Sequence, residues 1–208
     1  MLGEHTKCTM MRMDASSSDV DTSDDRSREE PDDSEFHPTP NDIALVRCMF
    51  PLSPELVTQI LDLAEYWVYS QKSRSVYYFF HHANERYLLS EPIQGGDFMY
   101  PLRRVVITTV SKHEGFHSSP ADKVSPNSWT WFELTLDDGK TGNEIARVEV
   151  ESIHSWREFE RHQVAIDDEL ILKQATKGDQ LCVWVRAVYP GWHSFYVRSV
   201  KIETWSAC

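Results

Sequence analysis

No stretch of this chain approaches the ~20 consecutive apolar residues of a membrane-spanning helix, and its opening, MLGEHTKCTMMRM, lacks the apolar core of a secretory signal. Four cysteines, Cys8, Cys48, Cys182 and Cys208, lie far apart with no C-x-x-C spacing, which excludes a zinc ribbon or a disulfide scaffold. Reduced thiols in a cytoplasmic or nuclear protein are the expectation. A Gly-rich phosphate loop, a G-x-S-x-G elbow and a catalytic Cys/His signature are all missing. No run of Lys and Arg occurs, which argues against nucleic acid or an anionic membrane as partner.

Charge is plentiful but uneven. Residues 1–40 hold eleven acids and four Lys/Arg, whereas 41–208 hold 22 and 17, a near-balanced globular composition. Residues 14–35, DASSSDVDTSDDRSREEPDDSE, contain one aliphatic side chain larger than Ala, so burial cannot offset the entropy of ordering them. The expectation is a disordered acidic tail and linker over 1–40, with HPTPND as a stiff connector. Ser18, Thr22 and Ser27 each precede an acid by three residues, a spacing suited to acid-directed kinases. An unmodified solubilising tail accounts for the same pattern.

Two helices are predicted next. NDIALVRCMF reads as a short helix from an Asn/Asp cap, stopped before Pro51. LSPELVTQILDLAEYWV follows, with Ser53 as cap, Pro54 at the first helical position and Glu55 in the positive first turn. Leu56, Ile60, Leu63 and Trp67 form one stripe, with Val57, Leu61, Ala64 and Val68 beside it. Gln59, Asp62 and Glu65 are read as facing water. This helical segment, 41–72, is expected to pack on a larger body.

After Gln71 the apolar period changes from 3.6 to 2. SVYYFF, RYLLS, RRVVITTV, SWTWFELTL, IARVEVE, ERHQVAI, DQLCVWVRAVY and FYVRSVKIETW are separated by turn sequences and by no evident helix. The fold class is therefore mainly β, an antiparallel two-sheet sandwich over 73–208 behind an N-terminal helical hairpin. Alternation places Phe132, Leu134 and Leu136 inward and Trp129, Trp131 and Glu133 outward. Leu181, Val183, Val185 and Ala187 share the inward face with Ala146, Val148 and Val150, while Trp184 and Arg186 point away.

HEGFH, residues 113–117, matches the zinc-protease pattern H-E-x-x-H, with His113 and His117 as ligands and Glu114 as base. That chemistry needs both histidines on one face of a helix. Here a β-run feeds straight into the pentapeptide, Gly115 disfavours helix by ~1 kcal/mol relative to Ala, and Ser118-Ser119-Pro120 follows. The segment reads as a strand-to-strand loop, a zinc hydrolase being the remotest alternative. His81-His82 are adjacent and read as surface or packing residues. DDGKTGN reads as a hairpin turn rather than a calcium loop. No cofactor or metal is called.

What remains is aromatic and near loops. Phe116, Trp129, Trp131, Trp156 and Trp192 are candidates for stacking on a ligand, with His113, Glu114, Arg157 and His193 as polar partners. The same rings also suit closure of the ends of a two-layer core.

Three stretches, ELVTQILDLAEYW, SKHEGFHSSP followed by SWTWFE, and LCVWVRAVYPGWHSFYVRSVKIETW, together resemble a family of uncharacterised fungal proteins. The resemblance spans about 41–205. It implies a galactose-binding-domain-like jelly roll behind a short helical segment, and no established activity. The loop after the first long strand usually reads S-x-D-Q-G-W-S in that family. Gly115 and Phe116 keep the pattern and the histidines depart from it. LSPELVTQIL also resembles the opening of an F-box, although aromatic β-like sequence begins within ten residues of the helix end. The leading expectation is a non-catalytic, intracellular binding module for a protein or glycan, acting through the aromatic loops. The alternative is an adaptor docking through the 53–69 helix, which requires Leu56, Ile60 and Trp67 to be exposed.

Overall fold

A computed structural model describes residues 36–95, 101–114, 130–152, 158–188 and 194–207, with the side chains of residues 113, 114, 151 and 152 excepted. The strand alternation resolves into two antiparallel sheets packed face to face. One has the order β1 (Val68–Arg74), β9 (Ser194–Ser206), β4 (Leu102–Glu114), β7 (Glu160–Ile166), with β2 (Tyr78–Phe80) also pairing β9. The other has the order β3 (Ala83–Leu89), β8 (Gln180–Ala187), β5 (Thr130–Asp137), β6 (Glu144–Ser152).

The inward faces are those the alternation marks. Phe132, Leu134 and Leu136 meet Leu181, Val183 and Val185 on one sheet, and Val105, Ile107, Phe195, Val197, Val200 and Ile202 on the other, each at most 1 % exposed. The rings of Phe132 and Phe195 touch across the layer, centroids 5.4 Å apart and near edge-to-face. Burying such side chains, at about 1.5–3 kcal/mol each, supplies the main drive for the sandwich.

The two ends of the sandwich differ. At one, the connections are tied by hydrogen bonds. The Asp179 carboxylate accepts from the backbone and hydroxyl of Thr176, both at 2.8 Å, and from the Gly139 amide at 3.2 Å. Ser90 exchanges bonds with Leu181, and the Gly178 amide donates to Ile93. Gly139 lies so close to the Gly178 carbonyl that a β-carbon would come within 1.9 Å of its oxygen. From the other end leave the connections 115–129, 153–157 and 189–193, between strand termini that pair with one another: Glu114 with Ser194, Thr130 with Ala187, Trp131 with Ser152.

The helical hairpin is α1 (Pro40–Met49) and α2 (Pro54–Leu63). Its first cap is Thr39, not Asn41 or Asp42: Pro40 takes the first helical position, and Asp42 completes a capping box with the Thr39 amide at 2.8 Å. Pro38 is buried and His37 stacks on Tyr69 at 3.9 Å, so the expected connector lies against β1. Ser53 and Pro54 cap and start α2 as read. The helix stops earlier than its periodicity extends: Glu65 turns left-handed at φ 53, and Val68 already belongs to β1. A third helix, α3 (Glu169–Gln174), corrects the expectation of no helix between strands. Asp168 caps it, and the fully buried Ile171 is its anchor, too short a signal for periodicity to reveal.

Two outcomes are expected. Gly139→Ala forces the two turns apart, so its urea midpoint falls further than that of Gly142→Ala, which strains φ +70 but meets no neighbouring atom. Burial pushes the Cys182 thiol up to about 11, with Asp137 adding to it, whereas Cys48 is exposed. Iodoacetamide at neutral pH therefore labels Cys48 in the folded protein and Cys182 only after denaturation, as mass spectrometry of peptides will show.

Candidate functional site

Of the nine residues singled out, Phe116, Trp129, Trp156, Arg157, Trp192 and His193 lie outside the described residues. So do Gly115 and His117. His113 and Glu114 are placed by their backbone: they are the last two residues of β4, opposite Phe195 and Ser194. That backbone is paired strand, not the helix on which an H-E-x-x-H zinc site is built. Among the described residues, no three His, Cys, Asp or Glu side chains gather as a metal cluster.

Trp131 is described in full, on the outer face of the β3-β8-β5-β6 sheet. Strand register lays Asn84, Arg186 and Trp131 in one row, and Arg86, Trp184, Glu133 and Glu149 in the next. The indole N–H of Trp131 donates to Glu133 at 2.9 Å, and Arg186 donates to the same carboxylate at 2.7 Å, with Arg147 pairing it from β6. Trp184 donates to the Thr135 hydroxyl at 3.1 Å. The guanidinium carbons of Arg86, Arg147 and Arg186 stand 5.3, 5.0 and 5.4 Å from its ring centroid. Arg86 also reaches Asp137 at 3.1 Å, and Arg147 pairs with Glu144.

Every arginine here thus has both a carboxylate and an indole. Burial pushes the Glu133 carboxyl up, but the hydrogen bonds from Trp131, Arg186 and Arg147 outweigh it and hold the group below the usual glutamate range. The face is a closed Trp/Arg/Glu layer that protects Thr135 and Cys182, both fully buried. Trp131 spends its polar end on Glu133.

Two exposed surfaces emerge that composition alone does not single out. The first is on the opposite sheet, at the end from which 115–129 and 189–193 leave. Tyr77, Phe79, Phe159 and Tyr196 touch ring to ring at 5.0–6.0 Å, and Lys112 sits 5.3 Å over Phe159 and 4.7 Å over Tyr196. Tyr77 is 58 % exposed. The signal was present: in SVYYFF, Tyr78 and Phe80 belong to the core, so Tyr77 and Phe79 must face out.

The second is the helical hairpin. Its seam buries Ile43, Val57 and Leu61 together with Val68 of β1. Asp62 faces water only in part: it takes a two-pronged bond from Arg103 of β4 at 2.8 and 2.9 Å and a third from Trp67 at 2.9 Å, tying α2 to the sheet. The stripe on the far side of α2 is open, with Leu56, Ile60 and Leu63 at 50, 47 and 86 % exposed. Leu45, Met49, Phe50 and Leu52 are exposed as well. Trp67, the fourth member, is half-buried.

A scan of protein-family models finds no match to this chain, and a search of curated proteins returns none that matches.

Because the folded Glu133 sits below its unfolded value of ~4.3, its contribution is complete above that pH and is lost as pH falls through the lower folded value. Glu133→Gln should cost about 2 kcal/mol at pH 7, by leaving the partly buried Arg186 without a carboxylate and Arg147 with Glu144 alone. In urea melts the gap between wild type and variant should narrow from pH 5 towards pH 3.

Proposed function

We propose that this chain is a non-catalytic binding module whose helical hairpin docks an apolar segment of a protein partner. The observation that carries this reading is the outward stripe of Leu56, Ile60 and Leu63, flanked by Leu45, Met49, Phe50 and Leu52. An amphipathic helix ordinarily turns its stripe to the core; α2 instead secures itself through Val57, Leu61 and the Asp62–Arg103 pair, and leaves the larger apolar face to solvent. Contiguous exposed aliphatic surface of this kind marks an interaction site on a folded chain. The resemblance of LSPELVTQIL to an F-box opening agrees with an adaptor role. Helix-in-groove docking needs anchors at i, i+4 and i+7, which is the spacing of Leu56, Ile60 and Leu63.

A second reading keeps the aromatic end of the sandwich as the recognition surface, for a glycan or protein. It is favoured by Tyr77, Phe79, Phe159 and Tyr196 clustering where the connections bearing Phe116, Trp129 and Trp192 leave the sheets. Rings of this kind stack on sugar C–H faces or on peptide side chains. A galactose-binding-like role belongs to this reading.

The two separate by mutation. Leu56→Arg/Ile60→Arg alters only exposed positions, so the melting temperature should hold while binding of a cross-linked and then purified partner weakens about 100-fold. Undiminished binding in that variant, with loss in Tyr77→Ala/Phe79→Ala, assigns recognition to the aromatic end instead.

A further inference from the structure

We infer that the outer face of the β1-β9-β4-β7 sheet is a docking surface for an extended acidic peptide, separate from the hairpin surface. Along β4 the positions that alternate with the core are Arg104, Val106, Thr108, Val110 and Lys112, a track of about 26 Å in which Val106 and Thr108 are themselves buried and Arg104 is exposed. Strand register sets Lys201 beside Thr108, and Arg161 beside Val110. Arg198 is the unmatched residue of the β9 bulge opposite Val110 and Ser111. Five cations from three strands therefore share one face, although none are clustered in sequence.

The acids do not match them. Glu203 is in register on this face and is occupied by Lys201 at 2.8 Å and the Tyr69 hydroxyl at 2.9 Å, and Glu114, the next position of the β4 alternation after Lys112, ends the track. Asp167 stands just past the end of β7. Arg104, Arg161 and Arg198 are exposed and have no ion pair among the described residues; Arg104 rests 4.9 Å over the Trp205 ring. Three such exposed arginines fall on this one face of a chain that carries 33 acids against 21 bases. The opposite sheet supplies the control: Arg86, Arg147 and Arg186 are all paired there.

Rings bracket the track, Tyr69 and Trp205 at one end and Tyr196 and Phe79 at the other. Backbone at ~3.3 Å per residue would lay about eight residues along it, presenting alternate carboxylates to the cations. A peptide suits this face better than nucleic acid. Residues 41–208 still carry 22 acids against 17 bases, and a long polyanion extends beyond the face to meet that repulsion.

The test is anisotropy of fluorescein-labelled octa-glutamate, with dT8 and a Gly-Ser octapeptide as comparators, titrated with the full chain at two salt concentrations. Octa-glutamate should bind, more weakly at higher salt, and lose about tenfold or more in Arg161→Glu/Arg198→Glu. The neutral pair Arg161→Gln/Arg198→Gln should fall between. Lys140→Glu/Lys177→Glu, on exposed turns at the other end of the sandwich, should bind as wild type, and all melting midpoints should hold. Absence of octa-glutamate binding, an equal loss in the Lys140/Lys177 pair, or dT8 binding as tightly would overturn the inference.

Discussion

One dry layer holds the molecule: the inward faces of two sheets, meeting through Phe132 and Phe195. Because a strand alternates sides residue by residue, each choice of inward side chain also dictates its neighbours outward. Phe132, Leu134 and Leu136 inward place Trp131, Glu133 and Thr135 on one outer surface. Val105 and Ile107 inward place Arg104, Val106 and Thr108 on the other. A register slip of one residue would exchange core for surface throughout, so the same constraint that stabilises the fold also composes its faces.

The two outer faces solve the problem of charge differently. On the β3-β8-β5-β6 sheet, guanidinium, indole and carboxylate groups satisfy one another, and Glu133 is the hub on which Trp131, Arg147 and Arg186 converge. On the β1-β9-β4-β7 sheet, three exposed arginines have no carboxylate partner among the described residues. The hairpin leaves out a different kind of group, apolar side chains, because Asp62 and Arg103 attach it to the sheet without using the Leu56, Ile60 and Leu63 stripe. Groups left unmatched by the fold's own chemistry are where a partner has something to add.

Much of this was legible in residue order, and the failures have physical causes. Strands with one buried face announce themselves by period, so β5, β7 and β8 fall within a residue or two of the apolar alternation. β1 did not: VYSQKSR buries only Val68 and has no alternation to read, since its order comes from pairing with β9. The α2 pattern ran on through Trp67 and Val68 because i, i+4 spacing persists there, while the chain had already turned at Glu65 and given Val68 to a strand. Among site residues, Trp131 was correctly set outward, but its bond to Glu133 depends on one strand's own twist and packing. The Arg104–Lys112 track needs the register of three strands, which no local window holds.

The most direct test of a docking hairpin is hydroxyl-radical footprinting of the free chain, read residue by residue by mass spectrometry. The account predicts rapid oxidation of Met49, Leu56, Ile60 and Leu63, and protection of Val57 and Leu61 one position away. Protection of Leu56, Ile60 and Leu63 as strong as that of Val57 and Leu61 would contradict it, since the stripe would then already be covered by the chain itself.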